Sequence, residues 1–239
     1  MNRSSLIKFC RSISLIIVSA LPLSHAQAGT FFSESFDGVS APTLPAGWTT
    51  SSASGSNPFS TSTSLPQAGT NSIFIADPST ITDTRLTTPT ISFVGISNAV
   101  LTFQNNFNLE FSFDGGVLEA SIDGGLFSDI LVLGGTFSSG AYNRTIGSNF
   151  GSPIGGRQAW SGNSNGYILS TVALPSTFNA HNVQLRWRLG TDNSVSGTGW
   201  HIDTVAITGD EANVPVPGSL ALCGIALSAL ALIRRRKQV

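Results

Sequence analysis

Cysteine, lysine and histidine are scarce between the two ends of this 239-residue chain. The two cysteines are Cys10 and Cys223, so residues 29–213 contain none and no disulfide is expected there. Those residues also lack lysine, and their histidines are His181 and His201, without a metal-type spacing. These absences argue against a zinc enzyme and a thiol enzyme.

Positive charge is rare in the same region and negative charge is not. Residues 29–213 carry five arginines against thirteen acidic residues, so their net charge is −8. Nucleic-acid binding requires clustered lysine and arginine for the phosphates, and we do not expect it here. An acidic surface suits a secreted protein or one that meets divalent cations.

The N-terminus has the composition of a secretory signal peptide, residues 1–28. Arg3, Lys8 and Arg11 precede an apolar run at 13–23, and Ala26-Gln27-Ala28 is a small-residue cleavage site. Eleven apolar residues are too few to span a bilayer, which needs about 20. We therefore expect signal peptidase to cleave after Ala28 and not an uncleaved anchor.

Long hydrophobic runs are otherwise absent, apart from a second short one near the C-terminus. The apolar residues 219–233 would rise about 22 Å as a helix, less than the roughly 30 Å hydrocarbon core. Two prolines precede the run, and a basic end at 234–237 follows it. A sorting signal and a plain membrane anchor are the two interpretations of residues 211–239.

The middle of the chain, residues 29–210, is expected to be all-β. Short apolar runs recur between turn signals, and residues 183–189 alternate apolar and polar as in a half-buried strand. This pattern predicts a two-sheet antiparallel jelly-roll sandwich. Residues 49–70 are expected to form a long polar loop. The other predicted strands are 31–36, 72–76, 99–103, 116–121, 130–133, 166–172 and 202–208.

Three carboxylates alternate in phase with apolar residues and should point towards the core. They are Glu34 in the first strand, Asp77 after the second and Asp203 in the last. A buried carboxylate needs a partner, and this region is short of cations. Calcium, which takes six to eight oxygen ligands, would satisfy them. The alternative is a bulge at each strand end that turns the carboxylate into water.

Other residues offer weaker functional signals. Glu110, Asp114 and Glu119 could supply the carboxylate pair of a glycosidase, although Asp114 falls in a predicted turn. Trp187 is in phase with the core, whereas Trp160 and Trp200 neighbour Gly or Ser. Packing is the first expectation for these rings, and Trp160 and Trp200 are the candidates for stacking against a sugar.

The C-terminal tail resembles a PEP-CTERM sorting signal. The resemblance rests on its position, its short apolar span and its basic end, with Val216 where the family usually has Glu. It implies recognition by an exosortase in the inner membrane of a Gram-negative bacterium, removal of the tail and delivery outside the cell. The residues that carry it are Val214, Pro215, Val216, Pro217 and Gly218, followed by Arg234, Arg235, Arg236 and Lys237.

Residues 31–208 resemble the choice-of-anchor J and cleaved-adhesin type of jelly roll, which is similar to MAM-type modules. The matching segments are FSESFD at 32–37, LPAGW at 44–48, GVLEASIDGG at 116–125 and GWHIDTV at 199–205. The resemblance implies a sandwich without catalytic residues. It also implies a structural Ca²⁺ that joins the first and last strands, in agreement with Glu34, Asp77 and Asp203.

Together these features predict an exported, non-enzymatic protein of the cell surface or extracellular matrix. Adhesion, glycan binding or a structural role in exopolysaccharide and biofilm is the expected function. The expected partners are signal peptidase, exosortase and exopolysaccharide, with only transient contact with the inner membrane. A secreted glycan-active hydrolase and a membrane-anchored envelope protein are the alternatives.

Overall fold

The computed structural model describes residues 28–211, which contain fifteen β-strands. The signal peptide and the sorting tail predicted at the two ends lie outside the described residues. No helix within 28–211 is long and apolar enough to cross a membrane. The strands are β1 Ala28–Glu34, β2 Thr49–Ser54, β3 Ser60–Ser62, β4 Ser72–Ile75, β5 Thr82–Thr87, β6 Ile91–Ser92, β7 Ile96–Asn108, β8 Gly115–Ile122, β9 Ser128–Asp129, β10 Thr136–Ser139, β11 Arg144–Thr145, β12 Gln158–Ala159, β13 Ile168–Ala173, β14 Asn182–Thr191 and β15 Gly199–Glu211.

Two antiparallel sheets form the sandwich, and the predicted all-β fold is confirmed. The first sheet has the order β10-β13-β7-β15-β4-β3. Strand β4 pairs with the beginning of β15, and β1 pairs with the rest of β15 along the same edge. The second has the order β2-β5-β14-β8-β9, with β6 pairing with the beginning of β14. The first and last strands are therefore neighbours, as predicted.

The strand β14 shows why the two layers associate. Its residues Val183, Leu185, Trp187 and Leu189 are all buried, and the residues between them are half-buried. This is the alternation that the sequence predicted, and it directs one side of the sheet into the core. Trp187 stacks on Trp48 at 6.0 Å between ring centroids and meets Phe103 of the opposite sheet edge-on at 5.3 Å.

Two predictions about local structure are wrong. The polar segment 49–70 is not a continuous loop, because it contains β2 and β3, which pair with β5 and β4. Residues 130–133 form turns and not a strand. The Asp129 carboxylate accepts a hydrogen bond from the Leu131 amide at 2.9 Å, and this local bond favours a turn over the extended chain.

Candidate functional site

Four carboxylates converge at one end of the sandwich, where three loops meet. Asp77 lies between β4 and β5, Glu110 and Asp114 lie between β7 and β8, and Asp192 directly follows β14. One oxygen each from Glu110, Asp114 and Asp192 lies within 4.8 Å of the others. Asp77, Asp114 and Asp192 are buried, with 4%, 0% and 2% of their surface exposed. We call these four residues the acidic cluster.

In Asp77 and in Asp114, backbone amides bind one of the two carboxylate oxygens. Asp77 Oδ2 accepts from the amide of Gly197 at 2.7 Å and from that of Glu110 at 3.3 Å. Asp114 Oδ1 accepts from the Asp192 amide at 2.7 Å. The other oxygens, Asp77 Oδ1 and Asp114 Oδ2, are buried and receive no hydrogen bond from any other described residue. The two carboxyl groups lie within hydrogen-bonding reach of each other.

The electrostatics of the acidic cluster are unfavourable for ionised groups. Burial, reinforced by the charge of Asp77, raises the pKa of Asp114 to about 8. Burial also raises the pKa of Asp77. Within residues 28–211, no arginine or histidine forms an ion pair with any of the four carboxylates.

The three residues predicted to bind calcium are divided between two places. Asp77 belongs to the acidic cluster, whereas Glu34 and Asp203 lie on the paired strands β1 and β15, with Glu34 opposite Val205. The Asp203 carboxylate accepts from the amides of Gln67 at 2.8 Å and Thr204 at 2.6 Å. Glu34 accepts from the Phe36 amide at 2.7 Å. Asp77 thus does not share a site with the other two, and calcium between Glu34 and Asp203 stays a prediction.

Asp203 is also not turned outward by a bulge, the alternative that the sequence left open. The register of β15 does shift after Asp203, and Thr204 has a φ of 48°. The Asp203 side chain nevertheless remains completely buried, with 0% exposure. Backbone amides of Gln67, Ala68 and Thr204 donate hydrogen bonds to it.

Neither tryptophan that was predicted to contact a ligand is accessible. Trp160 and Trp200 are both 0% exposed, and their rings lie 5.9 Å apart in the core. Trp160 donates its indole N–H to the Gly140 carbonyl at 2.8 Å, and Trp200 donates to Asn105 Oδ1 at 2.6 Å. Because their polar ends are satisfied inside the fold, packing is the role of both rings.

The outer side of the second sheet carries four of the five arginines. Antiparallel pairing places Arg85 opposite Arg188 and Arg186 opposite Glu119, so these side chains share the side that faces away from the core. Arg157 joins them from the segment before β12. All four arginines are only partly buried, with 15–25% of their side chains exposed. We call Arg85, Arg157, Arg186 and Arg188 the arginine face.

Three acidic residues hold the arginine face in position. Glu119 is 2% exposed and receives hydrogen bonds or ion pairs from Arg157, Arg186 and Arg188. Asp83 binds Arg188 through both of its oxygens, at 2.7 and 3.0 Å, and Asp129 binds Arg157 at 2.7 Å. Arg186 also lies over the Phe127 ring at 3.9 Å. The Nε of Arg85 is buried and has no partner among the described residues.

Of the three carboxylates predicted for a glycosidase pair, Glu110 and Asp114 lie together in the acidic cluster and Glu119 lies apart from them. Asp114 is completely buried in the acidic cluster, and Glu119 is engaged by three arginines on the other side of the sheet. A general acid and base must both reach the substrate. Neither carboxylate is accessible to a sugar in this structure.

A second surface surrounds the fifth arginine, Arg144. The guanidinium lies 4.5 Å from the centroid of the exposed Phe111 ring and donates to the Ser112 hydroxyl at 2.7 Å. Next to it is an open depression of about 460 Å³. Its lining includes Tyr142, Asn143 and Gln158. Arg144 makes no ion pair with the described acidic residues and takes no part in the ion-pair network of Glu119, Asp83 and Asp129, although β11 pairs with β12 close to Arg157.

Sequence reasoning reached only part of these sites. It identified Asp77 and the outward direction of Arg186 and Arg188, but it missed Glu110, Asp114 and Asp192 as metal-ligand candidates. Their signal was position: Asp114 immediately precedes β8 and Asp192 immediately follows β14. Only the pairing of β8 with β14 brings those strand ends together, at Gly115 and Gly190.

No protein-family model matches the chain, and no curated protein matches it. Several solved structures are similar in fold. One is the K1 cleaved-adhesin domain of Lys-gingipain from Porphyromonas gingivalis W83, at 18% identity, TM-score 0.45, and coverage of 77% of this chain and 99% of that domain. Another is a xylan-binding domain of family 22, at 12% identity, TM-score 0.40, and coverage of 78% and 97%. A carbohydrate-binding module described for mannan recognition has 10% identity, TM-score 0.42, and coverage of 77% and 99%.

Proposed function

We propose that this protein is an exported, non-enzymatic binding protein of the extracellular matrix, and that it binds carboxylated polysaccharides through the arginine face. The observation that carries this proposal is the segregation of charge. The region is strongly acidic, yet four of its five arginines lie on one side of one sheet. A protein that needed arginine only for solubility would distribute it more evenly.

The remaining residues of that side suit a polymer that forms many hydrogen bonds. Strand pairing adds the exposed Ser51 beside Arg85 and the half-buried Thr87 beside Arg186, and Gln184 precedes Arg186 on the same side of β14. These hydroxyl and amide groups offer donors and acceptors on either side of the guanidinium groups. This partly exposed polar surface carries one more arginine than carboxylate, four against three, and suits a sugar chain with carboxylate groups.

Arginine is the appropriate cation for this ligand because its planar group binds carboxylates through two parallel hydrogen bonds. The arginines are pre-ordered by Glu119, Asp83 and Asp129, so little side-chain entropy is lost when a ligand binds. Arg85 has the fewest internal bonds of the four, since only its Nη2 is paired, with Asp83 at 2.7 Å, and 23% of its side chain is exposed.

The proposed location depends on the two ends of the chain. The signal peptide at 1–28 supports export, and the PEP-CTERM-like tail at 211–239 supports exosortase processing and release. Neither segment lies within the described residues. Delivery to a layer of exopolysaccharide or biofilm would bring the arginine face to anionic sugars.

The binding proposal is tested by affinity electrophoresis of the purified protein through gels that contain polygalacturonate. We expect retardation by polygalacturonate but not by neutral dextran. Arg85→Gln should weaken the apparent affinity about 10-fold, because it removes one charge-assisted pair. Asp83 keeps its two bonds to Arg188 in this variant, so the fold should be preserved.

Arg144→Gln is the matched control, since it removes the same charge from a different surface. It should leave the retardation nearly unchanged. If both variants lose affinity for polygalacturonate equally, net charge alone explains the retardation. If dextran retards the protein as strongly as polygalacturonate does, the proposed ligand class is contradicted. Either result would remove the arginine face as the binding site.

A further inference from the structure

We propose that the acidic cluster, Asp77, Glu110, Asp114 and Asp192, is a calcium-binding site that fastens three loops at one end of the sandwich. This site is separate from the arginine face and does not depend on the proposed function. It is also separate from the pair Glu34 and Asp203 on the first and last strands.

The unpartnered oxygens are the first argument for an ion. Asp77 Oδ1 and Asp114 Oδ2 are both buried, and no other residue among 28–211 donates a hydrogen bond to them. The two carboxyl groups lie within hydrogen-bonding reach of each other, so either a proton or a cation must lie between them. Their sister oxygens are held by the amides of Gly197 and Asp192, so each carboxylate is oriented. An oriented, buried acceptor without a donor is costly unless a cation lies against it.

The fold shows elsewhere how it satisfies a buried carboxylate. Glu119 is as buried as the acidic cluster, and three arginines surround it. The acidic cluster gathers four carboxylates, and no arginine or histidine of the described chain pairs with them. A bound divalent cation would compensate this charge as the arginines compensate Glu119.

The ligand atoms select the kind of ion. The acidic cluster offers only oxygen, without histidine or cysteine, and this composition excludes the sites that zinc and copper prefer. Three separate loops supply the oxygens, so the geometry is adaptable and not rigidly octahedral. Calcium accepts such irregular sets of six to eight oxygens, whereas magnesium requires a nearly ideal octahedron.

The position of the acidic cluster indicates what the ion would stabilise. Asp77 and Glu110 belong to loops of the first sheet, and Asp114 and Asp192 adjoin β8 and β14 of the second. A shared ion would therefore connect the two sheets at this end. Because it binds the folded state, calcium should raise the melting temperature.

The test is thermal unfolding of the purified protein after chelation, first in EGTA and then in calcium. A rise of roughly 5–10 °C is expected once calcium exceeds the Kd about 100-fold. Asp114→Asn should abolish the rise while folding normally in EGTA, because an uncharged amide relieves the crowding of carboxylates. Asp192→Asn is the second variant, and far-UV circular dichroism confirms that each one folds.

Asp203→Asn is the matched control and should keep the full calcium response. Loss of the response in Asp203→Asn with retention in Asp114→Asn would place the ion between the first and last strands and overturn the proposal. The absence of a response in the unaltered protein, or a response that survives both Asp114→Asn and Asp192→Asn, would overturn it as well.

Discussion

Single buried side chains in this domain are satisfied in three different ways. Glu119 accepts hydrogen bonds from arginines, and Asp203 accepts them from backbone amides. In the acidic cluster, Asp77 Oδ1 and Asp114 Oδ2 accept from neither kind of donor. The sequence predicted correctly that Asp77 and Asp203 point inward, because both are in phase with apolar neighbours. It could not show which distant partner each one finds, since Glu110 lies 33 residues from Asp77 and Gln67 lies 136 residues from Asp203 along the chain.

His201 is a buried residue whose environment makes a testable prediction about pH. Its ring packs against Phe74 at 4.5 Å between centroids and contacts the Ser72 hydroxyl at 3.0 Å. Burial lowers the pKa of His201 to about 4, compared with about 6.5 in the unfolded chain. The unfolded state therefore takes up a proton first as the pH falls from 6.5 to 4, and stability is lost across that window.

Urea unfolding at pH 7.0 and pH 4.5 measures this contribution. Between pH 7.0 and pH 4.5, the free energy of unfolding of the unaltered protein should fall by about 2 kcal/mol more than that of His201→Gln, because the variant has no imidazole to protonate. The comparison between the two proteins cancels the titration of the carboxylates. Identical pH dependence would show that His201 is protonated as easily in the folded protein as in the unfolded chain.

Strands with strong alternation could be predicted from the sequence, and strands formed by serine and threonine could not. β14 was predicted because apolar and polar residues alternate along its whole length. β2 and β3 were missed because their polar residues resemble a loop. They form because β5 and β4 offer unpaired edges, with contacts such as Ser52 Oγ to Thr84 Oγ1 at 3.0 Å, and because Phe59 between them is buried.

The packing of β8 against the opposite sheet depends on a glycine. A Cβ added at Gly116 would lie 2.6 Å from two ring atoms of Trp200. The indole cannot move away easily, since its N–H is bound to Asn105. We expect Gly116→Ala to lower the free energy of unfolding by about 2 kcal/mol, as overpacked cores do.

Chemical denaturation in urea gives this value, and Gly38→Ala is the control. A Cβ at Gly38 would have no atom within 4 Å, so the substitution should change stability little. Equal stability of the Gly116→Ala protein and the unaltered protein would mean that the sheets can separate locally, and would contradict the close contact of β8 with Trp200.

Charge is unevenly distributed over residues 28–211. The acidic cluster gathers negative charge at one end of the sandwich, and the arginine face gathers four of the five arginines of this region together with Glu119, Asp83 and Asp129. Composition alone indicated a shortage of cations, and the alternation in β14 indicated that two arginines point outward. The concentration of four arginines on one surface required the pairing of β5, β14 and β8, which the sequence does not specify.

The central claim is that the processed protein is held outside the cell by carboxylated polysaccharide. Its most direct test is to elute the extracellular matrix of native cells with polygalacturonate and to measure the intact mass of the released protein. Polygalacturonate should release a species that begins at Gly29 and ends near residues 213–218, and dextran should release none. A protein that stays in the membrane fraction with Arg234–Val239 attached, or that dextran releases equally well, would contradict it.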